Sequence, residues 1–173
     1  VNRTECCGWM KLTAYRQARG KYFVYIDADD YLLNNDIYNI QIDALENHPE
    51  CSMCMQQILT LNDGDDPKNG NIWPTDKLLI DGAIIDKESF ILNDLRGLNQ
   101  GYMIRRREMD DMESLYGKWF DDTVITLHHL NYGPVFFINR ADYVWVQYKK
   151  SISHSQKGDE KELIYGSLPL HHA

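Results

Sequence analysis

Three aspartates within four positions, Asp27, Asp29 and Asp30, are the residues of this sequence best suited to chemistry. Adjacent carboxylates repel one another and lose solvation when buried, unless a cation neutralises them. Carboxylate oxygens are hard ligands that suit Mg²⁺ or Mn²⁺, and Mg²⁺ is commonly held by one or two carboxylates together with substrate phosphates. The pattern therefore predicts a divalent-cation site. The alternative is a solvated acidic turn in which Asp30 caps a later helix.

A strand is expected to position these aspartates. Residues 22–26 form an unbroken run of apolar and β-favouring side chains that stops at Asp27. Short apolar runs bounded by turn signals are typical of a strand buried on both faces of a parallel sheet. In open α/β sheets, ligands bind just beyond the carboxyl ends of the strands. We therefore expect this strand to deliver the aspartates to a ligand site.

A second acidic pair, Asp121 and Asp122, precedes apolar residues at helical spacing, namely Val124, Leu127 and Leu130. Capping and the helix dipole both favour acidic residues at the amino end of a helix, which is one explanation of the pair. The other explanation is chemical. A carboxylate within hydrogen-bond reach of an attacking hydroxyl accepts its proton as the new bond forms.

The remaining pattern predicts alternating helices and strands. The spacing of Trp9, Leu12 and Tyr15 predicts a helix over 9–18, and Asn34 or Asn35 is expected to cap a helix that runs to Asn47. A helix is also predicted after Asp86 and over 108–115, and residues 62–75 have the composition of a surface loop. Strands are predicted over 51–61, 101–106, 134–138 and 143–148, whereas 78–85 is either a strand or a loop over the substrate.

Composition excludes some classes of function. The chain of 173 residues has a net charge of −8, which argues against nucleic-acid binding, where a basic patch supplies most of the affinity. Cys6, Cys7, Cys51 and Cys54 do not form a convincing disulfide framework, so reduced thiols and a cytoplasmic location are expected. One Cys-x-x-Cys pair is weak grounds for a zinc site, and small buried side chains are the simpler interpretation.

Two motifs resemble those of family-two glycosyltransferases with the GT-A fold. The segments Gly20-Lys21-Tyr22 and Ile26-Asp27-Ala28-Asp29-Asp30-Tyr31 resemble that family's A-x-G-K-Y … D-x-D-D signature. Phe120-Asp121-Asp122 resembles its F-x-E-D motif, with Asp121 in place of Glu. The resemblance spans residues 9–154 and implies an α/β domain: a GT-A-like, Rossmann-related mixed sheet flanked by helices.

The resemblance implies an inverting, metal-dependent transfer of a sugar from a nucleotide-sugar donor, expected to be a UDP-sugar, to a glycan or lipid-linked acceptor. It places Mn²⁺ or Mg²⁺ on Asp29 or Asp30 and puts Asp27 near the ribose or sugar of the donor. It makes Asp122 the general base, with Asp121 assisting its position or contacting the acceptor.

Three further residues receive roles only through the resemblance. Arg105 or Arg106 would contact the donor phosphates or an acidic acceptor. The alternative is a strand end that is salt-bridged to Asp110 or Asp111. His154 would complete the metal shell or face the diphosphate.

The family's usual opening, a strand followed by Pro-x-Tyr-Asn and the base-binding loops, is not found here. We therefore expect a partial domain over 1–155 and a carboxy-terminal tail over 156–173, with bare strand edges that invite homo-oligomerisation. By resemblance the protein would work in cell-surface polysaccharide synthesis, in the cytoplasm or at the inner face of the cell membrane. The rival functions are a metal-dependent nucleotidyltransferase or phosphatase, and a non-catalytic domain that binds a glycan or a partner.

Overall fold

The computed structural model describes residues 3–98, 100–107 and 122–148. Within these ranges the chain forms four α-helices, two short 3-10 helices and seven strands. The α-helices are α1 (Arg3–Gln17), α2 (Ile37–Asn47), α3 (Lys87–Leu92) and α4 (Asp122–His129). The strands are β1 (Tyr22–Val24), β2 (Tyr31–Leu32), β3 (Met53–Asn62), β4 (Asn71–Trp73), β5 (Ile84–Ile85), β6 (Met103–Arg105) and β7 (Val135–Gln147).

The strands pair into one mixed sheet. Its main order is β1-β6-β3-β7-β2, with β4 also paired to β3 and β5 to β7. Only β3 and β7 pair in parallel, and the other pairs are antiparallel. Because β1 and β3 both run antiparallel to β6, the strands β1, β3 and β7 point the same way. Their carboxyl ends do not coincide, however, because Val24 at the end of β1 is level with Cys54 near the start of β3.

Helices cover both faces of the sheet. One apolar cluster joins α1, α3 and α4 to one face, through side chains such as Leu12, Phe90 and Ile125. A second cluster packs Ile37 and Leu45 of α2 against the other face. Alternate residues of the central strand serve the two clusters, as the period of two in a strand dictates. The predicted class, α/β with a mixed sheet flanked by helices, is confirmed.

The environment of β1 differs from the prediction. We expected a strand buried on both faces in a parallel sheet, but β1 pairs antiparallel with β6 and its side chains are half-buried. It also stops at Val24, two residues before the apolar run ends. Apolar composition alone does not encode the direction of a partner strand, because both kinds of ladder accept the same β-favouring side chains.

Strand β7 replaces two predicted strands. It pairs with β3 over Val135–Ile138 and again over Tyr143–Gln147, with a break in register between Gln56 and Ile58. The Gln56 side chain fills this break, since its Oε1 accepts the Asp142 N–H at 3.0 Å and its Nε2 donates to the Gly101 carbonyl at 3.2 Å. The polar interruption between the two apolar runs is therefore a bulge in one strand.

Several local predictions are confirmed. The helix predicted over 9–18 corresponds to α1, which begins earlier, at Arg3, and ends at Gln17. Helix α2 ends at Asn47 as predicted, with Ile37, Gln41 and Leu45 buried, but Asp36 and not an asparagine occupies its N-cap position. Asp86 caps α3 by accepting the Ser89 N–H at 2.7 Å. The predicted loop over 62–75 contains β4, and only Ile84–Ile85 of 78–85 is a strand. The helix predicted over 108–115 and the tail over 156–173 lie outside the described residues. Among the described residues, no helix is long and apolar enough to cross a bilayer.

Candidate active site

The acidic segment forms a turn after the end of β1, and it contacts β7 near the carboxyl end of that strand. The Asp30 N–H donates to the Asp27 carbonyl at 3.1 Å and closes the turn. Asp29 is exposed, whereas Asp27 and Asp30 are half-buried. The chain then continues into β2, which pairs with β7. The turn, here called the acidic loop (residues 27–30), therefore projects one carboxylate into solvent and directs others toward the protein.

Asp30 anchors the acidic loop to β7. One of its carboxylate oxygens accepts the Tyr143 hydroxyl at 2.6 Å, and the other accepts the Val146 N–H at 2.9 Å. Burial raises the pKa of Asp30 to about 6, although these two hydrogen bonds oppose the shift and the nearby Asp27 and Asp29 add to it. Tyr143 also accepts a long 3.4 Å hydrogen bond from the Asp27 N–H. Asp30 is thus a support of the loop, with both oxygens engaged.

Asp122 lies at the start of α4 and contacts two other elements. Its Oδ2 is 2.7 Å from the Lys11 ammonium of α1, and its Oδ1 accepts the Tyr102 hydroxyl at 3.3 Å. Tyr102 directly precedes β6 and is buried, which raises its pKa well above the ordinary value, so the hydroxyl stays protonated. Asp122 keeps 19% of its side-chain surface exposed. The carboxylate is therefore held from two sides and still reaches solvent.

The acidic loop and Asp122 share their neighbours. The Lys11 ammonium that pairs with Asp122 lies 4.5 Å from the centroid of the Tyr25 ring. Asp27 is close enough to raise the pKa of both Lys11 and Tyr102, and it interacts with the Tyr25 hydroxyl through a hydrogen bond. The fold thus brings together two acidic segments that are far apart in the sequence, around Lys11, Tyr25 and Tyr102.

Arg105 and Arg106 lie beside the start of β1, at the other end of that strand from the acidic loop. Arg105 pairs with Tyr22 at the start of β1, and its guanidinium donates to the Leu45 carbonyl at 2.6 Å. The Nε of Arg106 donates to the Gly20 carbonyl at 3.1 Å. β6 runs antiparallel to β1, so its carboxyl end is remote from the acidic loop. These contacts favour a structural role, and we do not include the two arginines in the site.

The carboxylates of the acidic loop suit a hard cation in number and kind. Among the described residues, no three side chains of His, Cys, Asp or Glu come together as a ready-made metal site. Mg²⁺, however, is commonly bound through one or two carboxylates with substrate phosphates completing its shell. Asp29 is exposed in the acidic loop, so it is the better placed of the two predicted ligands. Asp121 and His154 lie outside the described residues.

Two other pairs of possible metal ligands, two cysteines and two histidines, are buried and have structural roles. Cys51 and Cys54 are free and buried, and burial raises the pKa of Cys51 to about 11 and that of Cys54 further still. Both act as small apolar residues, as predicted. His128 and His129 are buried on α4, and the Nε2 of His129 lies 3.3 Å from the Tyr15 hydroxyl. They are packing residues.

Lys11 and Tyr102 were not predicted as site residues. Lys11 is one of several basic residues on the first helix, and from the sequence such residues could approach a diphosphate but more often form a solvated face. The available signal was its position, since Lys11 precedes the buried Leu12 and lies one helical turn before the buried Tyr15. No comparable signal marks Tyr102, because an aromatic residue at the start of a strand is ordinary core composition.

A scan against protein-family models and a search of curated proteins both find no match to this chain. The geometry of the site therefore has to carry the functional interpretation by itself.

Proposed function

We propose that this chain is a GT-A-like glycosyltransferase domain of the family-two, inverting type. Its donor is a nucleotide sugar, in the first instance a UDP-sugar, and its acceptor is a hydroxyl of a glycan or a lipid-linked glycan. One observation supports this proposal above all: the acidic loop follows the carboxyl end of β1, and its Asp27 lies within electrostatic reach of Lys11 and Tyr102, which both contact Asp122. Open α/β sheets bind ligands just beyond the carboxyl ends of their strands.

The reaction is a single in-line displacement at the anomeric carbon. The acceptor oxygen forms a bond to that carbon as the bond to the donor diphosphate breaks, and the configuration inverts. Asp122 takes the proton of the attacking hydroxyl, so the nucleoside diphosphate leaves without needing that proton. The ionised carboxylate required for this role is supported by the Lys11 ammonium at 2.7 Å and by the Tyr102 hydroxyl at 3.3 Å.

The acidic loop binds the donor. Asp29 would hold Mn²⁺ or Mg²⁺, and Asp27 would contact the ribose or sugar. When bound, such a cation neutralises charge that develops on the departing diphosphate. Asp30 keeps the loop in place through Tyr143 and Val146 and does not need to contact the donor.

The Lys11–Asp122 ion pair favours one alternative, a non-catalytic domain that binds a glycan or a partner. In that case the pair would only fasten α1 to α4, and Asp122 would have no acceptor to deprotonate. The two functions differ in a simple measurement. A transferase hydrolyses or transfers from its UDP-sugar in the presence of Mn²⁺, whereas a binding domain releases no UDP under any condition.

The decisive variant is Asp122→Asn in the full-length protein, assayed with UDP-sugars and Mn²⁺. Removal of a general base is expected to reduce turnover by about 10²- to 10⁴-fold with the donor KM nearly unchanged. Asp43→Asn is the matched control, because Asp43 is an exposed carboxylate on α2. It should leave turnover intact. Unchanged turnover in Asp122→Asn would remove this residue from the mechanism.

A further inference from the structure

Lys11 is a largely buried lysine at the junction of α1 with the site. It lies next to the buried side of α1, where Leu12 and Tyr15 are each 1% exposed. Its own side chain is only 11% exposed. Lysine is almost never buried to this degree without a partner, because an isolated ammonium loses its hydration. The helix therefore carries a positive charge inward at a defined place.

Within the described part of the chain, the charged and aromatic neighbours of the Lys11 ammonium belong to the proposed site. Its ammonium pairs with Asp122, lies over the Tyr25 ring and is within electrostatic reach of Asp27. Tyr102 binds the second oxygen of the same Asp122 carboxylate. The carboxylate is thus oriented by one group from α1 and another from the start of β6. A hydrogen-bonded pair of this kind fixes a side chain more closely than packing alone does.

Lys11 keeps its proton in this environment. Burial lowers the pKa of Lys11, but the charge of Asp122, a hydrogen bond to it and the charge of Asp27 together raise the pKa above 10.5. The ammonium is therefore present throughout the neutral range. It supplies a permanent positive charge next to the carboxylate of Asp122.

Stability alone does not account for such a pair. The desolvation of two charges offsets much of their attraction, so apolar residues of similar volume often replace a buried ion pair at little cost. The stem of a methionine would fill much of the space that the lysine occupies. The positive charge of Lys11 is therefore better explained by its effect on the Asp122 carboxylate.

We propose that Lys11 is a positioning residue for the Asp122 base, with an ammonium that keeps the carboxylate ionised and aimed at the acceptor hydroxyl. This inference rests on the proposed transferase function. It assigns Lys11 no contact with the reacting atoms.

The test compares Lys11→Met, Lys11→Gln and Lys11→Arg in the full-length protein with wild type. Lys68→Met is the control, because Lys68 is exposed in the connection between β3 and β4. Loss of the cation should reduce kcat about tenfold or more while the donor KM stays near the wild-type value. Lys11→Gln covers the case in which Lys11→Met does not fold. Lys11→Arg keeps the charge and should recover most of the turnover.

The pH–rate profile separates this role from a structural one. Without the ammonium, Asp122 holds its proton to higher pH, so the acidic limb of the profile should move upward in Lys11→Met and Lys11→Gln but not in Lys11→Arg. Among the described residues, the other titratable groups around the pair are Tyr25, Asp27 and Tyr102. All three are retained in these variants and cannot cause the difference.

A double variant provides the final discrimination. If Lys11 acts through Asp122, adding Lys11→Met to Asp122→Asn should cause no further loss of kcat. If the wild type is active and Lys11→Gln has the wild-type kcat with an unmoved acidic limb, the role of Lys11 is overturned and the transferase proposal stands. A wild type that transfers no sugar from any nucleotide donor would overturn both.

Discussion

Asp29 and Asp30 are neighbours in sequence with different surroundings. Asp30 has both carboxylate oxygens engaged by Tyr143 and Val146, whereas Asp29 is exposed at the tip of the acidic loop. A cation that bound Asp30 would have to compete with two hydrogen bonds to a charged group, each worth about 1.5–3 kcal/mol. Removal of the Asp29 side chain is therefore expected to affect cation binding, whereas removal of the Asp30 side chain is expected to affect stability.

Asp29→Ala should abolish Mn²⁺-dependent donor binding and leave stability nearly unchanged, because its side chain is exposed. Asp30→Ala should lower the free energy of unfolding by about 1–3 kcal/mol, since the Val146 N–H and the Tyr143 hydroxyl lose their acceptors. Calorimetry with UDP and Mn²⁺ on the full-length protein measures the first effect, and urea denaturation measures the second. Intact Mn²⁺-dependent binding in Asp29→Ala would exclude Asp29 as the metal ligand.

Lys11 illustrates a limit of reasoning from residue type. A lysine on an amphipathic helix is usually solvated, and only the partner makes this one different. That partner, Asp122, is 111 positions away in the sequence. The side chain therefore acquires its role from tertiary structure.

At the scale of elements, Gly101 connects the start of β6 to the site. Its backbone has φ +64°, and its carbonyl accepts hydrogen bonds from Gln41 at 2.8 Å and from Gln56 at 3.2 Å. A Cβ at this position would lie 2.7 Å from the Cβ of Tyr143, the residue that supports the acidic loop. The glycine thus permits β6, β3 and β7 to approach one another closely beside the loop.

Gly101→Ala should therefore be more destabilising than Gly82→Ala. Both positions have left-handed backbones, at φ +64° and φ +79°, but the space around a Cβ at Gly82 is open. The left-handed backbone alone should cost about 1–2 kcal/mol in both variants. The contact with Tyr143 should add about 1–3 kcal/mol in Gly101→Ala only. Denaturant titration of the two variants measures the difference, and equal stabilities would contradict the close packing of Gly101 on Tyr143.

At the scale of the whole molecule, α4 packs on α1 through His129. The ring Nδ1 lies 2.8 Å from the Ile125 carbonyl, and Nε2 lies 3.3 Å from the Tyr15 hydroxyl. Burial lowers the pKa of His129 to about 4, despite the opposing hydrogen bond to Ile125. The folded protein therefore keeps this ring neutral at pH values where the unfolded chain protonates it.

Global stability should consequently depend on pH through His129. Above pH 6.5, the ordinary pKa of histidine, neither the folded nor the unfolded state binds this proton, and the full contribution of the neutral His129 to stability is present. As the pH falls from 6.5 toward about 4, only the unfolded chain gains the proton, and about 3 kcal/mol is progressively lost. Urea denaturation between pH 4.5 and 7 should show a shallower dependence in His129→Gln. An unchanged slope in His129→Gln would rule out this assignment.

The acidic loop, Asp122 and most of the local elements could be predicted from the sequence. The aspartates after an apolar run indicated a loop at a strand end, and Asp86 indicated the start of α3. The apolar period indicated α2 and β3, because a helix and a strand each repeat over a few neighbouring residues. Such signals are local, so they can be recognised without knowledge of the rest of the chain.

The partners of those elements were decided only by tertiary structure. Both ladder types accept the same apolar run, so the antiparallel pairing of β1 had no signature in its residues. The single strand β7 depends on how Gln56 fills a break, and the site depends on Lys11 meeting Asp122. Sequence by itself determined which residues carry charge and which stretches are helical or extended. The contact of Lys11 with Asp122 beside the acidic loop depends on packing between distant segments, which no local pattern encodes.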